Sequence, residues 1–327
     1  MTAHQKGVAM IAVEQNVFHS FLVKHDEKQW AEVVGRLLSS IHPVDQIATK
    51  IWFSFWPLRL ARELQESADL AQTAKRLQLD GNFWLEEQVD ASVEYFLGSR
   101  FWGGVKKAIL QQAESMTRST GAGLEEQIRG IADKVAQDKS IELRFVLGIT
   151  AVGVMIFQQI GIAAFAAAAQ RSYEIKNHQS PEQLIKLRQG RQGGWRALFG
   201  AKRHKITFDE SQQDGSFQAL EGQDLSMASS CDKRDFRSQD RRRVAGPVPA
   251  ECRSGACGYC WIGVLGGQEN LSDVTDFEKK RLHHFGYVPR DVEVGPHSHI
   301  RLACQSKCYG DVSIVISAWN GVLDGGK

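Results

Sequence analysis

The chain has 327 residues, 43% of them hydrophobic and 24% charged, which allows two or three domains and excludes a disordered, collagen-like or coiled-coil rod protein. The net charge is only +2, but residues 1–140 carry 16 Lys/Arg and 18 Asp/Glu, residues 141–205 carry 10 and 3, and residues 206–327 carry 14 and 17. The positive excess therefore falls mid-chain, as in a linker or juxtamembrane segment, and not on a nucleic-acid-binding domain.

The first stretch, MTAHQKGVAMIAVEQ, has one Lys and an apolar run broken by Glu14 and Gln15, a poor secretory signal. From residue 10 to about 142, apolar side chains recur at spacings of three and four, as in Phe18, Phe21, Leu22 and in Leu58, Leu60, Ala61, Leu64. This predicts a helical domain over 1–142 with four to six helices. Breaks are expected at His42-Pro43, Trp56-Pro57, Asp80-Gly81 and Ser119-Thr120-Gly121, and Gly103-Gly104 is either a fifth break or a tolerated kink. The region is rich in aromatics, including Trp52, Phe53, Phe55, Trp56, Phe83, Trp84, Tyr95, Phe96, Phe101 and Trp102. A helical core accounts for them; the alternatives are a face lying on a membrane and a partner-docking surface. No Glu-x-x-His motif occurs, which disfavours a di-iron bundle.

Residues 145–169 are 25 consecutive uncharged positions, about 37 Å as a helix and enough to cross a hydrocarbon core of about 30 Å. The segment 143–171 is therefore expected to be membrane-inserted, as a span or as a hairpin turning at Gln158-Gln159. A buried helix in a soluble protein is the alternative. Downstream, Arg171 to Lys205 holds nine Lys/Arg against two Asp/Glu, which fits a cytoplasmic flank. Residues 172–203 read as a basic linker with a short amphipathic element around Trp195, Leu198 and Phe199, either a solvated tether or a contact for anionic lipid.

All six cysteines fall between Cys231 and Cys308. Cys252, Cys257 and Cys260 form C-x4-C-x2-C, and Cys304 follows 44 positions after Cys260 within Arg301-Leu302-Ala303-Cys304-Gln305. Such spacing ligates plant-type [2Fe–2S] clusters. Two ferric ions need four thiolates, and one tight loop supplies three of them if its backbone curls around the cluster. Gly255, Ala256 and Gly258 allow backbone N–H groups to approach the sulfurs. A zinc site on the same four cysteines lacks the usual two CxxC-like pairs. A Rieske site needs two histidine ligands, and no Cys-x-His occurs. Cys308 is an alternative to Cys304, and Cys231 reads as a buried or free thiol. His283, His284, His297 and His299 read as surface or structural residues.

The flanks predict strands at Lys205–Glu210, Phe217–Leu220, Tyr259–Leu265 and Asp311–Ile316, and a helix over Ser272–Phe285 with Ser272 as its N-cap. Strand, strand, cluster loop, strand, helix, fourth ligand, strand is a β-grasp order. With these motifs, residues 203–320 resemble the [2Fe–2S] ferredoxin family. The RLACQ element is similar to the adrenodoxin-like branch, and the x4 spacing to the plant-type branch. The long interval between Cys260 and Cys304, the basic insertion Asp232–Arg243 and the cationic Lys279-Lys280-Arg281 of the helix depart from either branch. The last departure argues against a standard ferredoxin reductase.

The expected architecture is α+β: helical domain, hydrophobic helix, basic linker, and a β-grasp ferredoxin domain over 204–327. The resemblance implies a [2Fe–2S] cofactor held by Cys252, Cys257, Cys260 and Cys304. No nucleotide-binding glycine fingerprint appears, so protein partners must donate and accept the electron. No nucleophile, acid–base pair or open metal site points to an enzyme. The expected function is a one-electron carrier, tethered to the cytoplasmic face of a membrane or to a larger redox complex. The alternative is a scaffold whose cluster senses redox state or iron, and for location a soluble cytoplasmic protein.

Overall fold

The computed structural model describes residues 16–118, 121–174, 179–189 and 202–323, a mixed α and β architecture. In the first part, helices α1 (Val17–Leu22), α2 (Glu27–Leu37), α3 (Pro43–Phe55), α4 (Leu58–Gln65), α5 (Leu70–Arg76), α6 (Trp102–Ser115) and α7 (Leu124–Lys139) follow one another, with a two-residue strand, β1 (Asp80–Gly81), after α5. Among the described residues, that is more helices than the periodicity predicts. α5 is seven residues long, about two turns, and buries none of them, so it leaves no apolar periodicity to read. Proline starts α3 at its first position, as expected of a ring that fixes φ and lacks an N–H. Gly103-Gly104 lies inside α6 as a tolerated pair.

Helix α8 (Leu147–Ala169) is long and apolar enough to cross a membrane, with 67% of its most apolar window buried inside the protein. Every residue from Leu147 to Gln159 is buried, and α1, α3, α6 and α7 pack around the helix. The glutamines find polar partners there. Trp30 Nε1 donates to Gln158 Oε1 at 2.6 Å, Gln158 Nε2 donates to the His25 carbonyl at 3.1 Å, and Gln159 Nε2 donates to the Trp56 carbonyl at 2.9 Å. Gly161, at φ 74°, breaks the helix just beyond them. The aromatics Trp52, Phe55, Trp56, Phe96 and Trp102 are likewise buried, as the core reading expects.

Helix α9 (Pro181–Arg188) follows, capped by Ser180. It falls within the segment expected to be a linker, and it packs on α3 and on the sheet instead. The amphipathic element around Trp195 lies outside the described residues. Strands β2 (Arg203–Thr207), β3 (Ser216–Leu220), β4 (Trp261–Gly266), β5 (Ile300–Leu302) and β6 (Val312–Ile316) form one sheet in the order β3-β2-β6-β4-β5. β2 and β3 make an antiparallel hairpin, β6 runs parallel to β2, and β4 is antiparallel to both its neighbours. α10 (Leu225–Ser230) follows β3, and α11 (Asp276–His284) precedes β5. α11 starts three residues later than expected because Thr275, not Ser272, is the cap that accepts from the Glu278 N–H.

The helices and the sheet share one hydrophobic core running from Phe18 to Val322. A Cβ on Gly263 of β4 would come within 2.6 Å of Ile51 of α3. Strand β7 (Trp319–Asn320) pairs with β1, Asp80 opposite Asn320, and Trp319 Nε1 donates to the Phe55 carbonyl at 2.6 Å. Arg188 and Glu210, both buried, form a two-pronged ion pair at 2.8 and 2.9 Å. Arg188 also donates to the carbonyls of Val44 and Tyr95, and Ser313 donates to Glu210. The basic insertion folds back on the protein too: Arg242 is buried and donates to Asp240 and to the Ser317 carbonyl.

Candidate metal centre

Cys252, Cys257 and Cys260 lie in the loop that enters β4, and Cys304 follows β5 by two residues. Across these strands Trp261 pairs with Leu302, and the Ala303 N–H donates to the Cys260 carbonyl at 2.9 Å. This register carries the fourth cysteine to the third over the long chain interval between them.

The thiols influence one another two by two. Cys252 accepts from the Cys257 N–H, and within each of the pairs Cys252–Cys257 and Cys260–Cys304 the two thiols shift one another's ionisation. Backbone N–H groups converge on the sulfurs as well. Those of Ser254 and Cys257 lie with nitrogen 3.4 Å from Cys252 Sγ; the Tyr259 N–H points to Cys257, the Gly255 N–H to Cys304 and the Cys304 N–H to Cys260. Burial works against ionisation of Cys252, but the hydrogen bonds from Ser254 and Cys257 prevail and bring its thiol down to about 6. The Cys260 thiol is pushed up, first by its hydrogen bond to Cys304 and then by burial, while Cys304 is lowered by the same bond. The loop makes room for this through positive φ at Arg253, Gly255 and Gly258. At Gly258 glycine is required twice over, since a Cβ would also stand 2.2 Å from the Phe285 ring.

Exposure grades across the site. Cys252 is exposed, Cys257 half-buried, and Cys260 and Cys304 are buried. Trp261, fully buried, lies edge-on to Phe285 and tilted against Tyr287. Cys308 is buried with its thiol aimed at the Gly310 carbonyl at 3.1 Å, and burial pushes it up to about 11. Cys231 is exposed and free. His283 contacts the Val288 carbonyl, His299 contacts Gln268, His284 packs on Phe285, and His297 is exposed.

Two supporting groups escape a reading by spacing. Glu278 of α11 and Arg301 of β5 form a fully buried bidentate pair at 3.0 Å, and the Leu302 N–H donates to the same carboxylate at 2.7 Å. This fixes the strand that delivers Cys304. The signal in the sequence is Arg301 itself, a charge in the apolar run beside the fourth cysteine. On the other side Tyr259 donates to Asp80 at 3.3 Å, and Arg241 pairs with the same carboxylate, so the helical half touches the cysteine loop.

Among the described residues, no three His, Cys, Asp or Glu side chains are grouped to hold a single metal ion. A binuclear cluster asks for something different, two thiolates on each of two irons. The donor set, the two-by-two pairing and the ring of N–H groups fit that requirement. Compared with protein families, with curated proteins and with solved structures, the chain matches none.

Proposed function

We propose that this chain is a one-electron carrier with a [2Fe–2S] cluster held by Cys252, Cys257, Cys260 and Cys304 in a β-grasp domain of ferredoxin type. The observation that carries the reading is the β4–β5 register, which brings Cys304 beside Cys260 at the end of the loop that holds Cys252 and Cys257; two thiolates would serve each of two irons. The strand order, with β6 parallel to β2 between the hairpin and β4, supports the β-grasp assignment. When bound, such a cluster cycles between two oxidation states and, with four thiolates, leaves no open position for bond chemistry. The chain's own part is to hold the sulfurs and to donate N–H groups to them so that added negative charge is stabilised.

Anaerobic reconstitution with ferrous iron and sulfide, followed by absorption and electron paramagnetic resonance of the reduced protein, tests this. Cys304→Ser is expected to deplete or alter the cluster strongly, and Cys308→Ser to leave its spectrum intact. The reverse pattern rejects the ligand assignment.

A second reading, a redox or iron sensor, draws on the exposure of Cys252, since an accessible ligand is open to oxidants. Loss of the cluster on mild oxidation, with partner binding changing in step, would favour it over a carrier that cycles reversibly. The membrane tether is supported by the length and apolarity of α8. The burial of that helix and the hydrogen-bonded glutamines support the other location, a carrier in which α8 is a core helix. Recovery in the soluble fraction of lysed cells decides for the latter, and co-purification with a membrane oxidoreductase in mild detergent for the former.

A further inference from the structure

The outermost of the four thiols, Cys252, opens onto a face with a distinct chemistry. Arg253, the next residue, is exposed, and its guanidinium reaches the sulfur of Met227 at 2.9 Å. Phe277 of α11 lies against Gly255 of the same loop. Met227 and Phe277 are 39% and 45% exposed, large apolar side chains open to solvent. Arg281, one turn along α11, donates to the Ala256 carbonyl and covers the Phe285 ring at 4.7 Å. Lys280 beside it is exposed. The carboxylates nearby are Glu251, exposed at the start of the loop, Asp276, which Lys279 neutralises at 3.2 Å, and Asp224, which accepts from the Met227 N–H at 2.9 Å and the Ser226 hydroxyl at 2.7 Å.

An apolar centre with a cationic rim is the anatomy of a transient protein interface. Charge of one sign on the rim selects the partner and speeds encounter more than it tightens the complex. We propose that this face docks a redox protein that is acidic around its own cofactor, with Met227 and Phe277 as the apolar centre and Arg253, Lys280 and Arg281 as the cationic rim. The proposal rests on the electron-carrier reading and adds the sign of the partner. With a reduced cluster bound, one electron would pass to the partner on the side of Cys252, the cluster being oxidised and the partner reduced by one electron.

The test uses two one-electron acceptors of opposite surface charge: plastocyanin, an acidic copper protein, and cytochrome c, basic around its haem edge. The full-length reconstituted protein is reduced with dithionite, freed of excess reductant, and mixed with each acceptor in a stopped-flow instrument over a range of salt. Plastocyanin is expected to be reduced faster at low salt and to slow as salt rises, with cytochrome c showing the opposite trend. Arg253→Glu/Lys280→Glu is expected to slow plastocyanin reduction on the order of tenfold at low salt and to speed that of cytochrome c. Lys107→Glu/Lys139→Glu, on helices packed around α8, makes the same change in net charge and is expected to shift both rates little. Equal effects of the two double variants, or a wild-type preference for cytochrome c, would overturn the docking face. If no cluster assembles in the wild type, the electron-carrier reading fails instead. Each variant is compared only at a cluster content matched by its absorption spectrum.

Discussion

Asp45 and His299 pull the stability of this protein in opposite directions over the same pH range. Asp45 sits at the start of α3 and accepts from the Leu97 and Gly98 N–H groups at 2.7 and 2.9 Å. Burial outweighs those bonds and the nearby Arg188 and pushes the carboxyl up to about 6. The folded protein thus holds this proton more tightly than the unfolded chain, and acidification from about 6 toward 4 favours folding. His299 is the reverse. Burial, helped by the charge of Lys50, lowers it to about 4. The unfolded chain takes up that proton first, so stability that is full above pH 6.5 is lost as the pH falls from 6.5 through 4. For His299 alone the loss between pH 7 and pH 5 is about 2 kcal/mol, at about 1.4 kcal/mol per pKa unit. His299→Gln is therefore expected to make stability, measured by urea unfolding, rise relative to wild type as the pH drops through this range. An unchanged difference between variant and wild type at pH 7 and pH 5 would dismiss the assignment.

Helix α11 and strand β5 are held to one another by charge as well as by packing. Removing the Glu278 carboxylate strands Arg301 in a site where only 1% of its side chain is exposed, and it takes the acceptor from the Leu302 N–H. Glu278→Ala is expected to destabilise by about 3–5 kcal/mol. Replacing both partners, Glu278→Leu with Arg301→Met, should recover most of that loss, because no charge is left buried without its mate; denaturant unfolding of the three variants checks it. The cysteine spacing and strands β2, β3, β4 and β6 are legible from sequence because spacing and two-residue alternation are local properties; β5, three residues long and buried throughout, is too short to show alternation. The start of α11 is not legible in the same way. Ser272 is as good a cap as Thr275 by type, but it is engaged elsewhere: its hydroxyl accepts from the Lys307 N–H at 3.1 Å and its carbonyl from Arg301 at 2.9 Å. Helix α8 shows a different limit. A helix that is apolar all round suits lipid and protein interior equally, and only the neighbours that enclose Leu147 to Gln159 distinguish the two. Arg188 falls in a stretch that reads as tether and Glu210 at the end of an expected strand, and no periodicity announces that they will meet.

At the scale of the whole molecule the helical and sheet halves form one folding unit joined at several points. The most polar joint is the Arg188–Glu210 pair, which ties α9 to the turn after β2, to β6 through Ser313 and to the backbone of α3 through Val44. Glu210→Ala is expected to cost about 3–5 kcal/mol and, because the core is continuous, to lower one cooperative unfolding transition; two separated transitions, seen by tryptophan fluorescence and by circular dichroism, would contradict a single unit. The join at β7 has a further consequence, for how the molecule is made. Trp319 reaches the Phe55 carbonyl across 264 positions of chain, and β7 completes a ribbon whose other member, β1, emerges from the ribosome long before it. Closing so large a loop is slow and gains nothing until both ends are present. The nascent helical half therefore waits, its surface for β7 uncovered, until the chain has been made through Asn320. Translation pauses between β1 and β7, and chaperones that shield apolar surface in that interval, are therefore expected to change the yield of this protein.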